Sequence, residues 1–245
     1  MKTDTLKKML LMLLCVVSVN MTALGKELVS DVLPIADPYI LFYNDTYYAY
    51  GTSRADGFEV YSSKDMKSWE RSPRLALNKE DSYGDKWFWA PEVYYVEEDK
   101  KFYMFYSVEE HICVATSTSP EGPFVQREKK PIVADEKGID TSFFIDDDGT
   151  PYLYYVRFTG GNVIWVAEMN DDLTSIKKET LTKCISATEP WEKKQGTIAE
   201  GPSLLKKGNT YYLIYSANHY ESKDYAVGYA TASSPKGPWT KYSGN

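Results

Sequence analysis

From residue 32 onward the chain alternates short apolar or aromatic runs with clusters of Asn, Asp, Gly and Lys. Runs such as Tyr39–Tyr43, Tyr152–Val156 and Tyr211–Tyr215 have strand length. Turn residues interrupt such runs at intervals of about 8–12 positions, which is the spacing of an all-β fold. No stretch carries an apolar stripe of helical period over helix length. Four similar units can be laid side by side, beginning near Asp37, Glu92, Asp140 and Glu200, at intervals of 55, 48 and 60 residues. Each predicts a first strand and then a tight turn: Asn44-Asp45, Glu98 to Lys100, Asp146 to Gly149, and Lys207 to Asn209. A Tyr-rich second strand, a third strand and a closing turn follow, the last ending on Trp69, Phe124, Ile176 or Trp239. Ser119-Pro120-Glu121-Gly122-Pro123 and Ser234-Pro235-Lys236-Gly237-Pro238 are nearly the same turn used twice. Four strands per unit of about 50 residues is the signature of a β-propeller blade. The expected fold is therefore an all-β propeller of four-stranded blades, with four blades visible.

In such a fold the first strand of every blade lines the axis, and the starts of these strands surround one mouth of the channel. Asp37, Asp140 and Glu200 precede the turn residues Thr46, Thr150 and Thr210 by 9, 10 and 10 positions. Matching positions in a radial repeat predict that the three carboxyls converge. The chain has only 2 His residues, His111 and His219, with no triad or zinc spacing around either. A carboxylate-rich, His-poor site points to glycoside chemistry, in which one carboxyl protonates the leaving oxygen and another activates water or attacks. Glu92 opens the second unit and is expected to take a subsite or structural role. Phe88 and Trp89, just before it, are candidates to stack on a sugar face, with Arg157 and Trp165 as further subsite candidates. The paired tyrosines of the second strands are expected to pack blade against blade.

The N-terminus reads differently. Lys2, Lys7 and Lys8 precede an apolar run from Met9 to Val19, and Ala23-Leu24-Gly25 offers small residues for cleavage. Residues 1–25 are expected to be a signal peptide, and the protein secreted or periplasmic. Removing them leaves 25 basic and 34 acidic side chains, a net charge of −9. Such a surface repels phosphate backbones, so no nucleic-acid partner is expected. No second long apolar run predicts a membrane span after signal removal. Cys113 and Cys184, far apart and each in an apolar context, are expected to be buried free thiols rather than a disulfide. Asp146-Asp147-Asp148-Gly149 lacks the alternation of a calcium loop and reads as a hairpin turn; no spacing predicts a metal site.

The strings Ala36-Asp37-Pro38-Tyr39, Trp89-Ala90-Pro91-Glu92, Gly138-Ile139-Asp140-Thr141-Ser142-Phe143 and Ala199-Glu200-Gly201-Pro202 stand in order, each opening a unit. Together they resemble glycoside hydrolase family 43, whose catalytic domain is a five-bladed β-propeller. The resemblance runs from about Val32 to Asn245. It implies a catalytic domain over residues 26–245 and an inverting O-glycosyl hydrolase of α-L-arabinofuranosidase or β-xylosidase type. The implied partner is a plant-type oligosaccharide or polysaccharide. A galactan-cleaving or other related propeller glycosidase and a non-catalytic carbohydrate-binding propeller are the alternatives. Carried over residue by residue, Asp37 is the general base, Glu200 the general acid, and Asp140 orients Glu200 and raises its pKa. No cofactor is implied as required; calcium is a structural ion in the complete family fold, without support in this sequence. The family's fifth blade, with its Gly-Pro-Gly-His-type loop, has no counterpart in the chain, so the propeller is expected to be C-terminally incomplete.

Overall fold

The computed structural model describes residues 27–29 and 32–244, and the signal peptide expected over 1–25 lies outside the described residues. Four antiparallel sheets follow one another along the chain, arranged as the blades of a β-propeller. The first blade contains β1 (Glu27–Val29), β2 (Ala36–Tyr43), β3 (Thr46–Thr52), β4 (Gly57–Phe58), β5 (Tyr61–Ser63), β6 (Trp69–Arg71) and β7 (Leu77–Asn78). Its sheet runs β2-β3-β5-β6-β1 outward from the axis, while β4 and β7 pair separately. The second blade is β8 (Trp89–Val96), β9 (Lys101–Val108) and β10 (His111–Ser117). The third is β11 (Gly138–Ile145), β12 (Pro151–Phe158), β13 (Asn162–Glu168) and β14 (Thr182–Ser186). The fourth is β15 (Ala199–Lys207), β16 (Thr210–Ala217), β17 (Ala226–Ala232) and β18 (Thr240–Lys241). Among the described residues no helix is long and apolar enough to cross a membrane.

Two details depart from the sequence pattern. The second blade has three strands, and its expected fourth is reduced to one bridge between Thr116 and Val125. The charged run Arg127-Glu128-Lys129-Lys130 that follows has no apolar alternation with which to extend that bridge. In the third blade the outer strand is Thr182–Ser186, whereas Ile176 only bridges Met169 ahead of it.

The core lies between blades. One cluster joins Tyr50 and Phe58 of the first blade to Phe88, Phe102, Met104 and Tyr106 of the second. A second joins Phe105 and Ile112 to Phe143, Leu153 and Tyr155 of the third. A third joins Tyr154, Val156 and Ile164 to Leu213, Tyr215 and Ala230 of the fourth. Each such large side chain contributes roughly 1.5–3 kcal/mol on burial, so the second-strand aromatics hold neighbouring blades together. Their hydroxyls find partners as buried phenols must: Tyr50 donates to the Pro120 carbonyl, and Tyr154 to the Pro235 carbonyl at 2.5 Å. The two matching Ser-Pro-x-Gly-Pro turns therefore do the same job, each receiving a tyrosine from the preceding blade. Cys113 and Cys184 are free thiols in different blade interfaces. Asp146 closes a hairpin, accepting from Lys206 Nζ and from Tyr211 OH at 2.6 Å. The faces of the first and fourth blades away from these interfaces carry exposed Phe42, Leu205 and Val227.

Candidate active site

Each inner strand breaks register with its neighbour at the same place: between Ala36 and Tyr39, Trp89 and Glu92, Ile139 and Ser142, and Glu200 and Ser203. The first residue inside each break has a left-handed backbone: Asp37 (φ 48°), Ala90 (φ 44°), Asp140 (φ 53°) and Gly201 (φ 56°). Such bulges re-aim side chains at strand ends and cluster beside functional sites, and left-handed non-glycine residues store strain there.

The bulge amide of one blade is received by the blade before it. Ala90 N donates to Thr52 Oγ1 at 2.9 Å, and Asp140 N donates to Ser107 Oγ at 2.9 Å. Thr52 and Ser107 occupy the same register, opposite Ala36 and Trp89. In the third blade that register belongs to Val156, opposite Ile139, and a valine side chain accepts nothing. The Asp140 carboxylate takes over the role, accepting from Gly201 N at 3.0 Å. Asp140 is thereby fixed one residue from Glu200 on the next blade.

Asp37 and Asp140 thus share the bulge position, but Glu200 stands one residue earlier, and Glu92 stands two residues later. The equal spacing of Asp140 and Glu200 to their turn threonines concealed this, because β11 pairs one residue fewer than β15 before a longer turn. The three expected acids still meet at one end of the axis, close enough for their charges to act on each other. Asp37 is exposed and accepts from Thr52 Oγ1 at 2.6 Å. Glu200 accepts from Asn162 Nδ2 at 2.8 Å and from Tyr225 OH at 3.2 Å. Burial raises the Glu200 pKa and the Asp37 charge adds to it, against the Asn162 and Tyr225 hydrogen bonds and the nearby His219. Burial pushes Asp140 up to about 7, helped by the charges of Glu200 and Asp37 and opposed by the Gly201 amide. The Glu200 charge acts on Asp140, so the two carboxyls do not ionise independently.

The flanking residues divide. Trp89 is partly buried at the register of Glu200, and its indole stacks on Trp87 at 5.9 Å and 10°. Phe88 does not face the mouth. It is 1% exposed and packs edge-on against Phe58 at 5.7 Å, so it is a core residue and no substrate contact. Trp87, left-handed (φ 59°) and 48% exposed, lies beside Trp89, while Phe88 between them is buried. Glu92 also turns away from the mouth, into a cluster with Tyr94 and Ser142. Arg157 lies over the Trp165 ring at 4.6 Å and is held by Glu136 at 2.6 Å. Thr52, Ser107, Asn162, Tyr225 and Trp87 were not singled out from sequence. The recurring hydroxyl at the end of the second strand (Thr52, Ser107, Ser216) was the readable signal for the first two. Among the described residues no group of three or more His, Cys, Asp or Glu side chains could hold a metal ion.

Comparison with known proteins agrees with this architecture. The profile of the family described as "Glycosyl hydrolases family 43" matches residues 33–245. An endo-1,4-beta-xylanase structure from Bacteroides thetaiotaomicron VPI-5482 aligns with a TM-score of 0.86 at 66% identity, covering 89% of this chain and 76% of that one. A thermostable family-43 glycoside hydrolase aligns with a TM-score of 0.79 at 39% identity, covering 91% and 75%. A beta-D-galactofuranosidase of Aspergillus niger is 31% identical over 226 residues, 84% of this chain and 63% of that protein. An extracellular exo-alpha-(1->5)-L-arabinofuranosidase of Cellvibrio japonicus is 28% identical over 209 residues, 74% of this chain. The chain spans 63% and 58% of the length of these two curated relatives. Since the family match runs through all four blades rather than through a single motif, the chain belongs to glycosyl hydrolase family 43.

Proposed function

We propose that this protein hydrolyses glycosidic bonds in arabinose- or xylose-containing glycans, with inversion at the anomeric carbon. The observation that carries the reading is the division of labour among three coupled carboxyls at one mouth. Asp37 is exposed to solvent and oriented by Thr52, as suits a base that takes a proton from water. Glu200 is screened, raised in pKa and held by two neutral donors, as suits an acid that must keep its proton until the leaving oxygen arrives. Asp140, tied to the Gly201 amide, holds the Glu200 segment, and the charges of Glu200 and Asp37 help keep its own carboxyl protonated. In the reaction Asp37 removes a proton from water as it attacks the anomeric carbon. Glu200 gives its proton to the departing oxygen, and the two carboxyls end with exchanged protonation states. Trp89, extended by Trp87, offers aromatic surface to the sugar.

The substrate class rests on the relatives: a xylanase at 66% identity, an arabinofuranosidase and a galactofuranosidase. The same reading takes residues 1–25 as a signal peptide and 26–245 as the catalytic propeller of a secreted or periplasmic enzyme. It also takes the apolar outer faces of the first and fourth blades as walls for a further blade. Release of p-nitrophenol from aryl α-L-arabinofuranosides, β-D-xylosides and β-D-galactosides tests it. Turnover of a pentoside is expected; absence of turnover on every aryl glycoside and on xylan and arabinan contradicts it.

A further inference from the structure

Glu92 stands on the second blade's inner strand but is not aimed at the mouth. Its carboxyl accepts from Tyr94 OH, and the Ser142 side chain and the Phe143 amide lie beside it. Tyr94 OH also accepts from Phe143 N at 3.2 Å. The Tyr94 ring lies 5.2 Å from Tyr39 and 5.3 Å from Phe143. Glu92 and Tyr94 therefore form one unit that links the inner strands of three blades, β2, β8 and β11, behind the acid triad. The segment it grips, Ser142-Phe143, begins two residues after Asp140, where the chain leaves the bulge.

We infer that Glu92 is a positioning residue: its carboxyl, through Tyr94, fixes the strand that aims Asp140, and a charge on it disturbs that strand. This inference rests on the reading of Asp37, Asp140 and Glu200 proposed above. The titratable groups facing Glu92 are Asp140 from β11, Tyr39 from β2 and Tyr94 from its own strand, and none is a cation. A screened carboxylate without a cation is costly. Burial pushes Glu92 up to about 8, against its hydrogen bonds, and the Asp140 charge adds to the rise. Below that pH Glu92 is a neutral wedge. Above it, a second negative charge appears behind Asp140. Asp140, held by the single Gly201 amide, is the neighbour that must respond.

The test compares kcat/KM against pH for wild type, Glu92→Gln and Glu92→Ala on an aryl glycoside. Gln stays neutral and keeps a similar shape. With each profile scaled to its own maximum, E92Q is expected to retain about tenfold more activity than wild type one pH unit above 8, the ratio set by one unit of titration. E92A is expected to lose kcat at every pH, with KM little changed. Superimposable wild-type and E92Q profiles overturn the inference, as does an E92Q loss equal to that of E92A at every pH. A second readout does not need turnover: urea denaturation of wild type and E92Q between about pH 5 and pH 9. Wild type is expected to lose stability relative to E92Q as pH rises toward 8, because the raised folded-state pKa favours the proton-bound form. A parallel pH dependence of the two proteins overturns the inference even if the function reading fails on its own.

Discussion

Replacing Thr52 with Val tests how Asp37 is held. The Thr52 hydroxyl donates to Asp37 Oδ2 at 2.6 Å and accepts from Ala90 N at 2.9 Å. Valine keeps the shape and removes both bonds. A hydrogen bond to a charged group contributes about 1.5–3 kcal/mol, and an orphaned amide costs about 1–3 kcal/mol. Asp37 is exposed and Thr52 only partly buried, so water restores part of each loss and the lower ends of these ranges apply. The expected effect on turnover is roughly 1–2 kcal/mol, a fall in kcat of about 5- to 30-fold with KM little changed. The stability loss should be similar, roughly 1–2 kcal/mol by urea denaturation. Thr52→Ser keeps the donor and the acceptor and should stay within about twofold of wild type, a difference of under 0.5 kcal/mol. Wild-type turnover by T52V, or an equal loss in T52S, refutes the claim that this hydroxyl orients the base.

Other residues give sharper contrasts. Lys241→Met should cost roughly 3–5 kcal/mol in urea denaturation, because it strips the cation from Glu192, which is 0% exposed and bonded to Lys241 Nζ at 2.6 Å. Burial raises the Glu192 pKa, but Lys241, Tyr215 and two backbone amides outweigh it and hold it below the usual range. The deficit in K241M should therefore shrink as pH falls through the range where that carboxyl takes up a proton. Asp140→Ala removes the acceptor of the Gly201 amide that holds the Glu200 segment, so kcat should fall with KM little changed. Phe88→Ala should cost roughly 3–5 kcal/mol of stability without a specific rise in KM, whereas Trp89→Ala should raise KM at little cost in stability. A KM effect confined to F88A contradicts the placement of the two rings.

The fold was readable because each blade repeats the same local chemistry. Asn44 and Asp45 both have left-handed backbones in a two-residue turn between Tyr43 and Thr46, as their composition demands. The tyrosines after each turn pack between blades because they are large and flat with one polar end. The site was readable only to within a residue or two. A bulge adds a residue without changing the apolar pattern, so Glu200 passed for the equivalent of Asp37 although it precedes the break in register. Glu92 appeared to open a blade, yet two residues carry it from the mouth into the cluster with Tyr94. Phe88 and Trp89 are both candidates by sequence, but adjacent residues of an extended chain face opposite ways, so only one of them can face the mouth. Thr52 and Asn162 act across blade boundaries, on Ala90 and Glu200, and no local pattern reports which residues meet across such a boundary.

The most direct test of the catalytic assignment varies the leaving group. Asp37→Ala and Glu200→Ala would each be assayed on an unactivated xylo- or arabino-oligosaccharide and on a 2,4-dinitrophenyl pentoside, whose leaving group needs no proton. Removing the acid should cost on the order of 10²–10⁴-fold on the oligosaccharide and far less on the activated glycoside. Removing the base should cost turnover on both. Equal losses for E200A on the two substrates, or wild-type turnover by D37A, would contradict the account.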